Sequence, residues 1–183
     1  MSLRIERIAR LAICSALIAA LGAFACSPPQ KGELERESGQ RGSPGTFRGV
    51  GVSAVFEKRC GSLDCHGSKA RNLRIYSSRG LRLPNDAGLT VGAGDTSQDE
   101  VTANYQSLMT LEPEQTNAVI EGKADPDTLL IVKKPLNIEH HKGGQTIRRG
   151  DDAETCIRSW LKEDVLNPVN KTACANAALF PQE

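Results

Sequence analysis

Aromatic residues and charge of one sign are both scarce in this sequence. Only 4% of the 183 residues are Phe, Trp or Tyr, so large rings alone cannot fill a core. The 23 basic residues nearly balance the 22 acidic ones. That balance argues against the strongly basic face by which proteins bind nucleic acid, and we expect no nucleic-acid partner. Length excludes a large multidomain enzyme, and hydropathy excludes several membrane spans.

Sequence signatures of common catalytic machinery are absent as well. The chain has no Gly-rich phosphate loop, no nucleophile elbow and no His-Glu-x-x-His metal motif. Its acidic residues form no recognisable catalytic pair. The sequence therefore does not predict a hydrolase or a nucleotide-dependent enzyme.

The first 25 residues are typical of a secretory signal peptide. Three arginines precede an uncharged apolar stretch at 11–25, which is short for a membrane span. Cleavage after Ala25 would make Cys26 the new N-terminus, an arrangement that resembles a bacterial lipoprotein signal. The resemblance implies lipidation of Cys26, a lipid anchor in the membrane, and a periplasmic or outer-membrane-associated location. The alternative is a plain cleaved signal that leaves Cys26 as a free thiol.

The remainder of the chain divides by composition. Residues 26–48 would form the lipidated N-terminus and a disordered tether, because they are rich in Pro, Gly, Ser and mixed charge. We expect the folded domain at residues 49–166 and a C-terminal tail at 167–183.

Three segments of the domain have helical signals, and strand signals are weak. Helices are predicted at Ser53–Arg59, with Ser53 as its cap, at Gln98–Leu111 and at Asp152–Glu163. Ser97 with Glu100 and, before the third helix, Asp151 supply N-terminal caps for the other two. Leu129–Val132 fits a short strand or a buried helical turn. The fold class is mainly α, a small domain whose long loops indicate chain wrapped around a ligand.

The most informative stretch runs from Cys60 to His66, with Cys65 directly before the histidine. Three chemistries suit it. The two thiols can attach a c-type haem as thioethers, with His66 as an iron ligand, although the usual spacing between the cysteines is two residues and here it is four. They can form a small disulfide loop. They can also bind zinc together with His66 and one of two later histidines, His140 or His141.

The surroundings of this stretch resemble the class I cytochrome c fold. Phe56 precedes Cys60 on one helix face, Gly67 follows His66, and a last helix carries an apolar stripe with Trp160. Further motifs resemble the cytochrome-c-like domains of secreted bacterial proteins over most of residues 56–161. These motifs are Gly80-Leu81-Arg82-Leu83, Asp125–Leu130, Lys134-Pro135, His141-Lys142-Gly143-Gly144 and Ser159-Trp160-Leu161. The resemblance implies one covalent haem c held by Cys60, Cys65 and His66 in a cytochrome c-like domain.

The second axial position of the iron has several candidates. His141 is favoured because it falls on the pattern of the resembling domains, and the glycines after it allow the backbone to approach a flat cofactor. His140 and Met109 are the alternatives, as is an open position. Iron with two protein ligands has no open site, so we expect an electron carrier that serves redox proteins of the envelope, and not an enzyme.

Apart from Cys14 in the leader, two cysteines remain, and they suggest a disulfide. Cys156 lies on the apolar stripe of the third helix, and Cys174 lies in the tail of an exported chain, so a bridge between them is predicted. This leaves a rival function from another class. A haem-free, disulfide-stabilised envelope lipoprotein would have a binding or structural role.

Overall fold

Helices supply nearly all the regular structure in residues 40–84, 92 and 94–179, the part of the chain described by the computed structural model. Within these residues, Leu81 forms an isolated β-bridge, and no β-strand of two or more residues is present. The mainly α fold class is confirmed. The seven α-helices in the described residues are α1 (Pro44–Gly49), α2 (Val52–Cys60), α3 (Gln98–Met109), α4 (Pro113–Ile120), α5 (Leu130–Lys133), α6 (Asp152–Leu161) and α7 (Lys171–Leu179), and a 3-10 turn covers Pro126–Thr128.

The three predicted helices are present as α2, α3 and α6, with ends that differ by one or two residues. Both predicted caps of α3 and α6 form. Ser97 Oγ accepts from the Glu100 amide while the Glu100 carboxylate accepts from the Ser97 amide, at 3.2 and 2.8 Å. Asp151 Oδ1 accepts from the Glu154 amide at 2.7 Å. These contacts are local in sequence, which is why spacing alone predicted them.

The predicted cap of α2 is wrong. Gly51 occupies the N-cap position with a left-handed φ of 87°. Ser53 lies inside the helix, where it is buried and donates its hydroxyl to the Glu57 carboxylate. The segment with two interpretations, Leu129–Val132, turns out to be helical from Leu130 onward.

The domain begins earlier than residue 49, so the predicted end of the tether is wrong. Ser43 caps α1, and Phe47 within it is completely buried. The Trp160 ring donates from Nε1 to the Ser43 carbonyl at 3.0 Å, and the Gly42 amide donates to the Trp160 carbonyl at 2.9 Å. Phe47 and these two hydrogen bonds therefore hold this stretch against α6. The predicted signal peptide and residues 26–39, with the predicted lipidation site Cys26, lie outside the described part.

The scarce aromatic residues are concentrated in one cluster. Phe47 packs against Trp160, Tyr105 and Phe56 with ring centroids 5.2, 5.6 and 6.2 Å apart. Because these rings come from α1, α6, α3 and α2, the cluster joins four helices. Aromatic pairs of this kind add about 0.5–1.5 kcal/mol beyond the area that they bury.

The predicted disulfide joins Cys156 of α6 to Cys174 of α7. The helix α7 packs on α6 and on α2, with Ala173 and Ala177 buried. Residues 167–179 therefore belong to the domain, and the prediction of a separate tail from residue 167 is wrong for them.

The buried carboxylate of Glu100 joins Arg82 and Leu83 to the start of α3. Glu100 is 2% exposed, and it accepts from Arg82 Nε and from the Leu83 amide, both at 2.8 Å. Burial by itself would raise the pKa of Glu100. The hydrogen bonds from Arg82 and from the Ser97 and Leu83 amides outweigh that effect, and the pKa lies below its ordinary value.

No helix in the described ranges combines the length and the apolar composition that crossing a membrane requires.

Removal of the disulfide should destabilise the domain. We expect a Cys156→Ala/Cys174→Ala variant to lose about 3 kcal/mol of unfolding free energy. The bridge joins residues 18 positions apart and so restricts the unfolded chain. Urea denaturation of the haem-free protein measures the loss. The matched control is Cys60→Ala/Cys65→Ala, which removes two cysteines that are not bridged. A loss below about 1 kcal/mol would contradict a stabilising bridge.

Replacement of Glu100 by Gln should change how stability depends on pH. The native pKa of Glu100 lies below its ordinary value of 4.5, so the ionised carboxylate stabilises the fold above that pH. The difference in unfolding free energy between the wild type and Glu100→Gln should therefore shrink as pH falls below 4.5 and through the native pKa. Denaturant unfolding at several pH values measures this difference, with Glu114→Gln as the control for an exposed carboxylate. A difference that does not vary with pH would contradict it.

Candidate functional site

A cavity of about 600 Å³ opens beside the end of α2. Its apolar wall comes from α2, α5 and the segments around them, and its polar groups include the predicted ligands His66 and His141. The volume lies within the range of about 300–1,000 Å³ that small-molecule and cofactor sites occupy. The apolar wall consists mainly of Phe56, Leu73, Leu111, Leu130, Ile131 and Pro135.

The imidazole of His66 is fixed by a backbone carbonyl. Its Nδ1 lies 3.0 Å from the Leu73 oxygen. A carbonyl only accepts, so Nδ1 carries the proton and Nε2 keeps a free lone pair. Burial, together with the charges of His141 and Arg71, lowers the pKa of His66 against the opposing effect of the Leu73 hydrogen bond. The ring is therefore neutral at neutral pH, which is the form that binds a metal.

The imidazole of His141 is fixed in the same way. Its Nδ1 lies 2.8 Å from the Gly144 oxygen, and the Gly144 amide donates back to the His141 carbonyl at 2.9 Å. Gly144 has a φ of 72°, a left-handed conformation that glycine adopts without strain. The turn thus leaves Nε2 of His141 available as well.

The imidazole rings of His66 and His141 lie parallel to each other. Their centroids are 6.2 Å apart and their planes differ by 9°. An imidazole nitrogen lies about 2 Å from a transition metal that it ligates and about 1 Å from the centre of its own ring. Two imidazoles on opposite sides of one metal ion therefore have centroids about 6 Å apart. The observed separation meets this requirement.

The alternative axial candidates are placed less favourably. Met109 lies at the end of α3 close to Gly42, and it does not line the cavity. His140 does line the cavity but is exposed, and its carbonyl accepts from Lys134 Nζ at 2.9 Å. The ring of His141 lies parallel to that of His66, with planes that differ by 9°.

The two cysteines of the attachment motif are free and half-buried. Cys60 lines the main cavity, and Cys65 lines a neighbouring cavity of about 350 Å³ that also includes both histidines. The small disulfide loop that was an alternative for these residues is not formed. Burial, with a smaller contribution from Cys65, raises the pKa of the Cys60 thiol to about 12. Cys60 therefore stays protonated at neutral pH.

The loop that carries the motif is held by close backbone packing. A Cβ on Gly67 or on Gly80 would overlap the Gly61 carbonyl oxygen. The Leu81 amide donates to the Gly67 carbonyl at 2.7 Å, and Ser77 Oγ donates to the Gly61 carbonyl at 2.6 Å. These contacts explain physically why glycine stands directly after His66 and at position 80.

A zinc centre is not supported by the described residues. No group of three or more His, Cys, Asp or Glu side chains within 40–84, 92 and 94–179 is arranged to hold a metal ion. Two facing imidazoles suit a cofactor whose metal already has ligands of its own, as haem iron does.

Sequence reasoning missed the groups that orient the ligands. The Leu73 and Gly144 carbonyls have no signature, because every residue carries a backbone oxygen. Arg71 was visible only as one of several basic residues after the motif, yet its guanidinium bonds to the Asp64 and Cys65 carbonyls.

Comparisons with known proteins do not extend this description. No protein-family model matches the chain, and no curated protein or solved structure matches it either.

Proposed function

We propose that this domain binds one haem covalently and transfers single electrons in the bacterial cell envelope. The observation that carries the proposal is the facing pair His66 and His141. Their centroids are separated by 6.2 Å, and each Nδ1 is within hydrogen-bond distance of a backbone carbonyl. An ordinary pair of surface histidines needs neither feature.

The cysteines would supply the covalent attachment. Each thiol would add across one vinyl group of haem, with sulfur bonding to one vinyl carbon and the hydrogen going to the other, so no leaving group is needed. Cys60 lines the main cavity together with His66, and Cys65 lines the neighbouring cavity together with His66.

The side chains of the cavity would do two further things. His66 and His141 would each offer Nε2 to the iron, since the hydrogen bond at Nδ1 leaves that nitrogen unprotonated. The apolar wall around Phe56 and Ile131 excludes water from most of the cavity. When bound, haem supplies an iron couple that accepts and returns one electron, with a potential set by these surroundings.

Two histidine ligands favour an electron carrier over an enzyme. With His66 and His141 both holding the iron, no ligand position would remain for a substrate. The proposed partners are therefore redox proteins of the envelope. Attachment to the membrane through a lipid on Cys26 belongs to the same proposal, which places the domain at the periplasmic or outer-membrane surface.

His66→Ala should abolish haem incorporation. The variant loses the only proposed ligand that is adjacent to an attachment cysteine, so we expect no covalent haem on the chain. The measurement is peroxidase staining after denaturing electrophoresis of protein exported with a c-haem maturation system. His140→Ala is the matched control and should stain like the wild type. Staining of His66→Ala at the wild-type level would contradict the proposal.

Replacement of His141 should change the iron and leave attachment in place. We expect His141→Ala to convert a low-spin absorption spectrum to a high-spin one, and added imidazole to restore the low-spin form. His141→Met should raise the midpoint potential, because thioether ligation raises the potential relative to imidazole. Spectra and a potentiometric titration measure both effects. A wild-type spectrum in His141→Ala would exclude His141 as the second ligand.

The rival function has its own outcome in these experiments. A haem-free envelope lipoprotein would remain folded and colourless in the wild type as well as in His66→Ala. The Cys156–Cys174 bridge stabilises either protein, so its presence does not separate the two functions.

A further inference from the structure

We infer that Arg71 is the positioning residue that shapes the widened loop between Cys60 and Cys65 for attachment. The inference rests on the proposed function, because it assigns Arg71 a role at the same site. Arg71 Nε donates to the Cys65 carbonyl at 3.1 Å, and a terminal nitrogen of the same side chain donates to the Asp64 carbonyl at 3.0 Å.

The backbone of the loop makes three hydrogen bonds of its own. The His66 amide donates to the Cys60 carbonyl at 2.8 Å, and the Cys65 and Gly67 amides donate to the Ser62 carbonyl at 3.0 and 2.8 Å. The bond from Cys65 to Ser62 closes a turn over Leu63 and Asp64, and the other two set the base of the loop and the position of His66.

The turn at Leu63 and Asp64 has little burial to stabilise it. Leu63 is 49% exposed and Asp64 is exposed. The two residues beyond the usual spacing add backbone torsions that must be fixed at an entropic cost. The Arg71 guanidinium offsets this cost, because its planar fork reaches two consecutive carbonyls with charge-assisted hydrogen bonds.

The planar shape of the Arg71 guanidinium also determines whether lysine can replace it. A lysine at position 71 keeps the charge but presents a point donor, so it cannot reproduce both bonds from a planar group. An electrostatic role would survive Arg71→Lys, whereas the positioning role would be weakened by it.

Release of the loop has a consequence that does not involve haem. The clamped loop holds Cys60 and Cys65 as free thiols. Freed from Arg71, the loop can bring the two sulfurs to bonding distance more easily. In a glutathione buffer the two thiols lose two protons and two electrons to one oxidised glutathione, which becomes two reduced glutathiones, and the Cys60–Cys65 disulfide forms.

The first experiment uses the haem-free full chain. Wild type, Arg71→Ala, Arg71→Lys and Arg74→Ala are equilibrated in glutathione buffers, the thiols are alkylated, and the Cys60–Cys65 disulfide is quantified by mass spectrometry. Arg74→Ala is the matched control, because the side chain of Arg74 is exposed. The backbone amide of Arg74 donates to Ser107 Oγ, and the substitution leaves that amide in place. We expect the equilibrium constant for disulfide formation to rise about tenfold in Arg71→Ala, to rise less in Arg71→Lys, and to stay unchanged in the control.

The second experiment counts thioethers on protein exported with a c-haem maturation system. Peptide mass spectrometry should find both thioethers in the wild type and in Arg74→Ala, loss of the Cys65 thioether in Arg71→Ala, and partial loss in Arg71→Lys. Circular dichroism of each haem-free variant reports folding. If Arg71→Ala fails to fold, the folded Arg71→Lys variant decides.

The outcomes separate the two claims. Wild-type values for both the disulfide equilibrium and the thioether count in a folded Arg71 variant would overturn the role of Arg71. A wild type that accepts no haem would overturn the proposed function, while the glutathione equilibrium would still test whether Arg71 holds the loop.

Discussion

The burial of Trp160 against α1 is the contact on which the other elements depend. The ring packs on Phe47 and donates to the Ser43 carbonyl, while the Trp160 carbonyl accepts from the Gly42 amide. These contacts attach α1 to α6, and through Phe47 they also reach α2 and α3. Four of the few aromatic rings meet at this point, and aliphatic side chains supply most of the remaining buried core. The disulfide from Cys156 then attaches α6 to α7.

The position of the candidate site depends on where α2 ends. Cys60 is the last residue of that helix, and the chain then turns back through Gly61 and Gly67, where side chains would collide with backbone. His66 enters the cavity from this turn, and His141 enters it from the segment after α5. One device recurs in both cases. A backbone carbonyl accepts from the protonated nitrogen of each ring and leaves the other nitrogen free to bind a ligand, an arrangement that is general for histidines in metal sites.

Sequence reasoning reached the parts that local chemistry encodes. The caps at Ser97 and Asp151 and the apolar stripe of α6 are written within a few residues, so α3 and α6 were predictable. The short helix α1 was not, because its stability comes from the distant Trp160. The helix α7 was missed for a related reason, since its alanines supply no stripe that stands out.

The candidate site divides in the same manner. The reactive side chains carry their identity in the sequence, so His66, Cys60 and His141 could be named from motif and pattern. Their orientation depends on carbonyls at Leu73 and Gly144, which no residue type announces. The contact of Arg71 with the loop required the folded backbone, because an arginine after a motif is most often a solvated charge.

The central claim is that the histidine pair and the two thiols hold one haem. The most direct measurement is a pyridine haemochrome spectrum of wild-type protein exported with a c-haem maturation system, combined with the intact mass after denaturation. We expect a c-type band and the added mass of one haem. A colourless protein, two hydrogens lighter for each cysteine pair, would contradict it and favour the disulfide-stabilised lipoprotein.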